Sequence, residues 1–144
     1  MTISDILSKK GREVVTIEPA PTVLEAMRLL VRYRIGAVVV VEGSEIHGIL
    51  SERDILNLGA EDPSLLARRR VADVMTTDLI TATPNDGLQH VMDLMTRHRI
   101  RHLPIIEDHQ LTGIVSIGDV VNACRTSAEA ENDQLREYIS GSIS

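Results

Sequence analysis

The stretch Gly48-Ile-Leu-Ser-Glu-Arg-Asp54 returns 65 residues later as Gly113-Ile-Val-Ser-Ile-Gly-Asp119. Each version reads as a strand running into a helix. The aliphatics close the strand, Ser is a good N-cap, and Asp three residues on is favoured by the helix macrodipole. Extended outward at the same offset, residues 16–55 lie over 81–120 without insertion or deletion, and twelve of those 40 positions are identical. They include Thr16, Pro19, Met27, Arg34, Gly48, Ser51 and Asp54; most other positions trade one aliphatic for another, as Val40 for Ile105. Units of roughly 60 residues are too small to stand alone easily. Two related units bury their apolar faces against each other, usually about a pseudo-two-fold axis. The clefts beside such an axis are natural ligand sites.

Within a copy the order is strand, helix, strand, strand, helix. Val14 to Ile17 is a short β-branched run stopped by Pro19 and Pro21. Thr22 and Glu25 form a capping box, and Val23, Ala26, Met27 and Leu30 make one apolar helical stripe. Copy two repeats the stripe as Leu88, Val91, Met92 and Met95, with Asp86 and Gln89 in the expected capping positions. Gly36–Glu42 and Glu45–Leu50 read as a hairpin turning at Gly43-Ser44, and the second hairpin turns through 107–109. The consecutive apolar residues Val38 to Val41 mark a strand covered on both faces. Asp62-Pro63 reads as a helix start, and Arg68-Arg69-Arg70 as a solvated helix face. Asp5-Ile-Leu-Ser8 echoes Asp73-Val-Met-Thr76. Leu135, Tyr138 and Ile139 give the tail one narrow apolar stripe suited to docking.

Composition narrows the function classes. The chain has 144 residues, 43% of them apolar, with no Trp or Phe and two Tyr, so the core must be aliphatic. A net charge of −6 argues against sequence-independent binding to nucleic acid. Neither a membrane span nor a signal peptide is readable. The lone Cys124 cannot form an internal disulfide and reads as a buried spectator; a cytoplasmic setting is expected. The five histidines have no ligand spacing for a metal, and neither a P-loop nor a GxGxxG occurs. No nucleophile–base pair or carboxylate dyad can be placed, so no enzyme is expected.

The repeated Ser and Asp carry the chemistry. As caps alone they explain themselves. The same geometry also suits a ligand: a helix N-terminus offers N–H groups to an anion, and a carboxylate one turn in can accept from the two hydroxyls of a ribose. With its G-h-h-S-x-x-D endings, the β-α-β-β-α repeat resembles a pair of cystathionine-β-synthase (CBS) domains, a Bateman module. The resemblance covers about residues 1 to 125. It rests on the strand-helix-strand segments quoted above, on Asp73-Val-Met-Thr, and on Arg99-Ile-Arg-His-Leu-Pro-Ile-Ile.

The resemblance implies an α/β fold of two CBS repeats about a pseudo-two-fold axis. It also implies regulation by adenosine-containing ligands. Asp54 and Asp119 would hold ribose hydroxyls, with Ser51 and Ser116 near ribose and phosphate. Backbone around Val15-Thr16 and Ile80-Thr81 would meet the adenine edge, and Arg101-His102 would face phosphate. Copy one has Gly36-Ala37 where copy two has Arg101-His102. Those small residues either leave room for a larger ligand or leave one cleft without phosphate contacts, so unequal sites are expected. Arg53, matched by Gly118, either supplies a cation or forms a surface salt bridge. The expected layout is repeat one with an N-terminal helix (1–60), a linker helix (61–72), repeat two (73–125) and a polar C-terminal helix and tail (126–144). The expected function is a sensor for an adenine nucleotide (AMP first, ADP, ATP or NAD(H) otherwise), acting as a homodimer on a protein partner. The alternative is a dimerisation scaffold that binds no nucleotide.

Overall fold

Each hairpin is built by a two-residue turn that the strand register fixes. The structure is a computed structural model and describes residues 1–127; the tail stripe of Leu135, Tyr138 and Ile139 lies outside them. Strand β2 (Ala37–Glu42) pairs antiparallel with β3 (Glu45–Ser51), and β4 (His102–Glu107) pairs likewise with β5 (Gln110–Ser116). Both ladders shift register at the same point, after Val40 and after Ile105. Gly43 has φ 62°, and Asp108 and His109 have φ 51° and 64°, the left-handed backbone that such tight turns demand.

Before each hairpin comes an amphipathic helix, α2 (Val23–Tyr33) or α6 (Leu88–His98). The stripes face inward as their spacing requires: Val23, Ala26 and Leu30 are buried, as are Leu88, Val91 and Met95. Thr22 caps α2 in the expected box, its N–H donating to Glu25 Oε2 at 2.7 Å. In copy two the N-cap is Gly87, not Asp86. The Asp86 carboxylate instead accepts from the Thr83 N–H at 2.8 Å, and Gln89 bonds along the helix to Asp93. A residue that caps its own turn is not available to cap the next.

The first strand of each copy lies parallel to the second. In copy one this is β1 (Thr16–Ile17), shorter than the sequence run from Val14. In copy two the strand shrinks to a single bridge, Ala82 with Ile105. Pro104 stands where copy one has Val39, and it has no N–H to extend the ladder. Ala82 takes the two bonds that remain, donating to the Pro104 carbonyl and accepting from the Ile106 N–H.

Two aliphatic cores result. One gathers α2, β2, β3 and Ile55 of helix α3 (Glu52–Glu61); the other gathers α6, β4, β5 and Val120 of helix α7, which spans 117–127. Ala37 and Val39 are buried although they belong to neither cluster, so β2 is covered on both faces.

The segment before each repeat crosses over. Helix α1 (Ile3–Lys10) gives Ile3, Ile6 and Leu7 to the second core, and helix α5 (Val71–Val74) gives Val71 to the first. The same backbone clasp holds each. Ile3 and Ser4 donate to Asp86 and Pro84; Val71 and Ala72 donate to Pro21 and Pro19. Helix α4 (Leu65–Arg68) starts later than Asp62-Pro63, which form the turn that leads into it. The arginine run does not share one helix face: Arg68 ends α4, and Arg70 N-caps α5 with its guanidinium on the Ala20 carbonyl at 2.9 Å.

Candidate functional site

The two S-x-x-D motifs fold alike, because both Ser residues sit where a strand turns into a helix. Ser51 Oγ accepts from the Asp54 N–H, while Asp54 Oδ2 accepts from the Ser51 N–H at 2.9 Å and its hydroxyl at 3.0 Å. Among the described residues Asp54 Oδ1 accepts no hydrogen bond. Beside this pair opens a cavity of about 510 Å³. Gly36, Ser51, Arg53 and Asp54 line it from copy one, and Thr76, Arg99, Arg101 and His102 from the other side.

Three arginines and two acidic residues, Glu52 and Asp54, thus line one space together with Ile49, Leu56 and Ile100. None of the three forms a salt bridge among the described residues. Such a pocket can take an anion at one end and a diol at the other.

At Gly36 the two walls lie close together. A Cβ on it would stand 2.8 Å from His102 Nε2, so the imidazole occupies the room that copy one's small residue leaves. Burial holds the His102 pKa below the usual imidazole value, with the Lys10 and Arg101 cations acting in the same sense; Glu52 and Asp119 oppose them.

The second cleft differs. Asp119 Oδ2 accepts from the Ser116 N–H at 2.8 Å and from the Lys10 ammonium at 2.5 Å. Burial alone would raise this carboxyl, but Lys10 and Ser116 outweigh it and hold the pKa below the ordinary carboxylate range. Two separate cavities adjoin this pair. One cavity of about 290 Å³ meets Val15, Gly36, Ala37, His102 and Ser116; another of about 330 Å³ meets Asp5, Lys9 and Asp119.

Of the residues singled out from sequence, the Asp54 cavity unites Gly36, Ser51, Arg53, Asp54, Arg101 and His102. Val15, Ala37 and Ser116 meet in the second cleft. Thr16 lies in β1, Ile80 packs on the second core, and Thr81 lines a shallow surface with His47 and His109. Thr76 lines the Asp54 cavity, which neither Ile80 nor Thr81 meets. Its backbone pairs with Ile49 in both directions, at 3.0 and 2.9 Å.

Sequence reasoning passed over Thr76, Arg99 and Lys10. Arg99 carried a signal: it follows the apolar stripe where a helix C-cap glycine is usual, and it recurs at Arg34. Both adopt left-handed backbone, φ 53° and 54°. Lys10 carried none, since it has no counterpart in the repeat. His47 lies within β3, its Nε2 buried without a hydrogen-bond partner among the described residues. Among the described residues no group of three His, Cys, Asp or Glu could hold a metal. Likewise no described helix is long and apolar enough to cross a membrane.

Known proteins share this arrangement. A profile of the CBS domain matches residues 3–61 and 71–126. The chain is 37% identical over 149 residues to the mitochondrial CBS domain-containing protein CBSX3 of Arabidopsis thaliana, covering 97% of this chain and 72% of that protein. It superposes with a TM-score of 0.82 and 37% identity on the CBS-domain protein ATU1752 of Agrobacterium tumefaciens, over 85% of this chain and 98% of that one. A likeness of fold alone, at 22% identity and a TM-score of 0.77, links it to the CBS domain pair of protein MJ0100, over 88% of this chain and 98% of that one. The MJ0100 pair was crystallised with 5-methylthioadenosine and S-adenosyl-L-methionine. Repeat, clasp and paired S-x-x-D motifs therefore have one explanation: the chain belongs to the CBS-domain family, as a tandem pair.

Proposed function

We propose that this chain is a regulatory sensor that binds an adenosine-containing nucleotide in the Asp54 cleft and passes the state to a partner protein. One observation carries the reading. A single cavity holds the Ser51–Asp54 pair of one repeat and the Arg99, Arg101 and His102 of the other. Asp54 Oδ1 would take the ribose hydroxyls, and the guanidiniums would take phosphate. Ile49 and Ile100 would cover the adenine faces. Because its walls come from both repeats, a ligand there favours one relative setting of the repeats over others, which signalling requires. AMP is the first candidate, with ADP, ATP and NAD(H) behind it. A homodimer is proposed as the working form, in a cytoplasmic setting. MJ0100 lends only this: a pair of the same fold has room for adenosyl ligands.

A second reading rests on the completeness of the cap. Ser51 and Asp54 already satisfy each other, as they would in a dimerisation scaffold that binds nothing. A thermal-shift panel of AMP, ADP, ATP, NAD⁺, NADH and S-adenosylmethionine separates the two. A ligand at about 100 times its Kd stabilises the fold by roughly 2.7 kcal/mol. The sensor reading expects such a shift with one class and its loss in Asp54→Ala. No shift across the panel, from protein verified ligand-free, would favour the scaffold.

A further inference from the structure

Lys10 stands in the second cleft where the first has nothing comparable. It ends α1, whose Ile3 and Leu7 are buried in the second core, so its backbone is fixed relative to Asp119. Its ammonium donates to Asp119 Oδ2 and, at 3.0 Å, to the Ile114 carbonyl. The matching carbonyl in copy one, that of Ile49, accepts instead from the Thr76 backbone. Lys10 is also the one residue that lines both chambers of the second cleft, about 290 and 330 Å³, whereas Ser51 and Asp54 share a single space of about 510 Å³.

We propose that Lys10 sets the stoichiometry of this chain: its side chain divides the second cleft and holds the Asp119 carboxylate, so that a ribose-bearing ligand fills only the Asp54 cleft. The proposal rests on the nucleotide reading above and adds a specificity-determining residue to it. A ribose diol needs an available carboxylate, and Asp119 is paired with the Lys10 ammonium, whereas Asp54 has no cation partner among the described residues. Removing the ammonium leaves Asp119 held by Ser116 alone, as Asp54 is held by Ser51.

Isothermal titration of the full chain with AMP tests this, using Lys10→Ala and Lys10→Met, the latter keeping an apolar stem should Ala disturb α1. Expected are one AMP per wild-type chain, lost in Asp54→Ala, and two per Lys10 variant. Asp119→Ala added to Lys10→Met should return the count to one. Two AMP per wild-type chain would overturn the proposal. So would a folded Lys10→Met that still takes one, with the Asp54 reading left intact. If neither wild type nor Lys10→Met binds AMP, ADP, ATP or NAD(H) in the same titration, the nucleotide reading and this proposal fall together. If only the Lys10 variants bind, and Asp119→Ala removes that site, Lys10 is confirmed as the block and the Asp54 assignment fails.

Discussion

Asp54 and Asp119 are one residue of the repeat in two electrostatic settings, and they answer to different perturbations. Asp54→Ala removes a cap and, on the sensor reading, the ribose acceptor. Ligand binding should vanish in the thermal-shift panel, while urea unfolding without ligand shows a loss of about 1 kcal/mol or less. His102 sets a pH dependence whose direction is fixed. Its folded pKa lies below the ordinary value, so the unfolded chain binds the proton more tightly. The stabilisation is therefore fully present above about pH 6.5 and is lost as pH falls through the lowered folded pKa. Asp119 acts in the same sense, in the more acidic range below the ordinary carboxylate value. Urea unfolding at pH 7.5, 6.5 and 5.5 should show stability falling with acid, and His102→Gln should flatten that fall. An unchanged slope in the variant would show that His102 does not govern it.

At the scale of elements, the matched glycines are spaces for neighbours. A Cβ on Gly48 would lie 2.6 Å from the Thr76 carbonyl oxygen; one on Gly113 would lie 2.7 Å from Leu7 Cδ2. Backbone yields less than the end of a side chain, so Gly48→Ala should cost more than Gly113→Ala, within about 1–3 kcal/mol, by chemical denaturation. Leu7→Ala should cost about 2–5 kcal/mol, as a core residue and not as part of a frayed terminus. The helices and hairpins were legible because periodicity and turn chemistry are local, and the 65-residue offset checks each element against its twin. The exchange of α1 and α5 between cores was not legible, since amphipathic spacing says that Leu7 is buried and not by which repeat. Pro104 could have foretold the shortened first strand of copy two. Of the Asp54 cavity, the motif residues were readable. Thr76 entered through a backbone pairing, and Lys10 through a contact 109 residues away in sequence, neither of which any pattern encodes.

Taken whole, the molecule leaves matching apolar side chains uncovered. Leu56 on α3 and Val121 on α7 are 65 residues apart and 71% and 50% exposed. Pseudo-symmetry makes them one repeated feature, which the homodimer proposed above would cover with a second copy of the chain. Light scattering should report about twice the 15.9 kDa chain mass, and Val121→Glu, outside the Asp54 cavity, should shift it toward the monomer. A mass of one chain for the wild type would exclude the homodimer.

The crossed clasps also bear on how the chain is joined. Each half is finished by a segment that belongs, in sequence, to the other half, so the connection through residues 62–64 does topological and not adhesive work. A polypeptide severed there should yield two fragments that recognise each other and reassemble. The molecule has the form of an arm-exchanged pair of half-length chains, tied end to end.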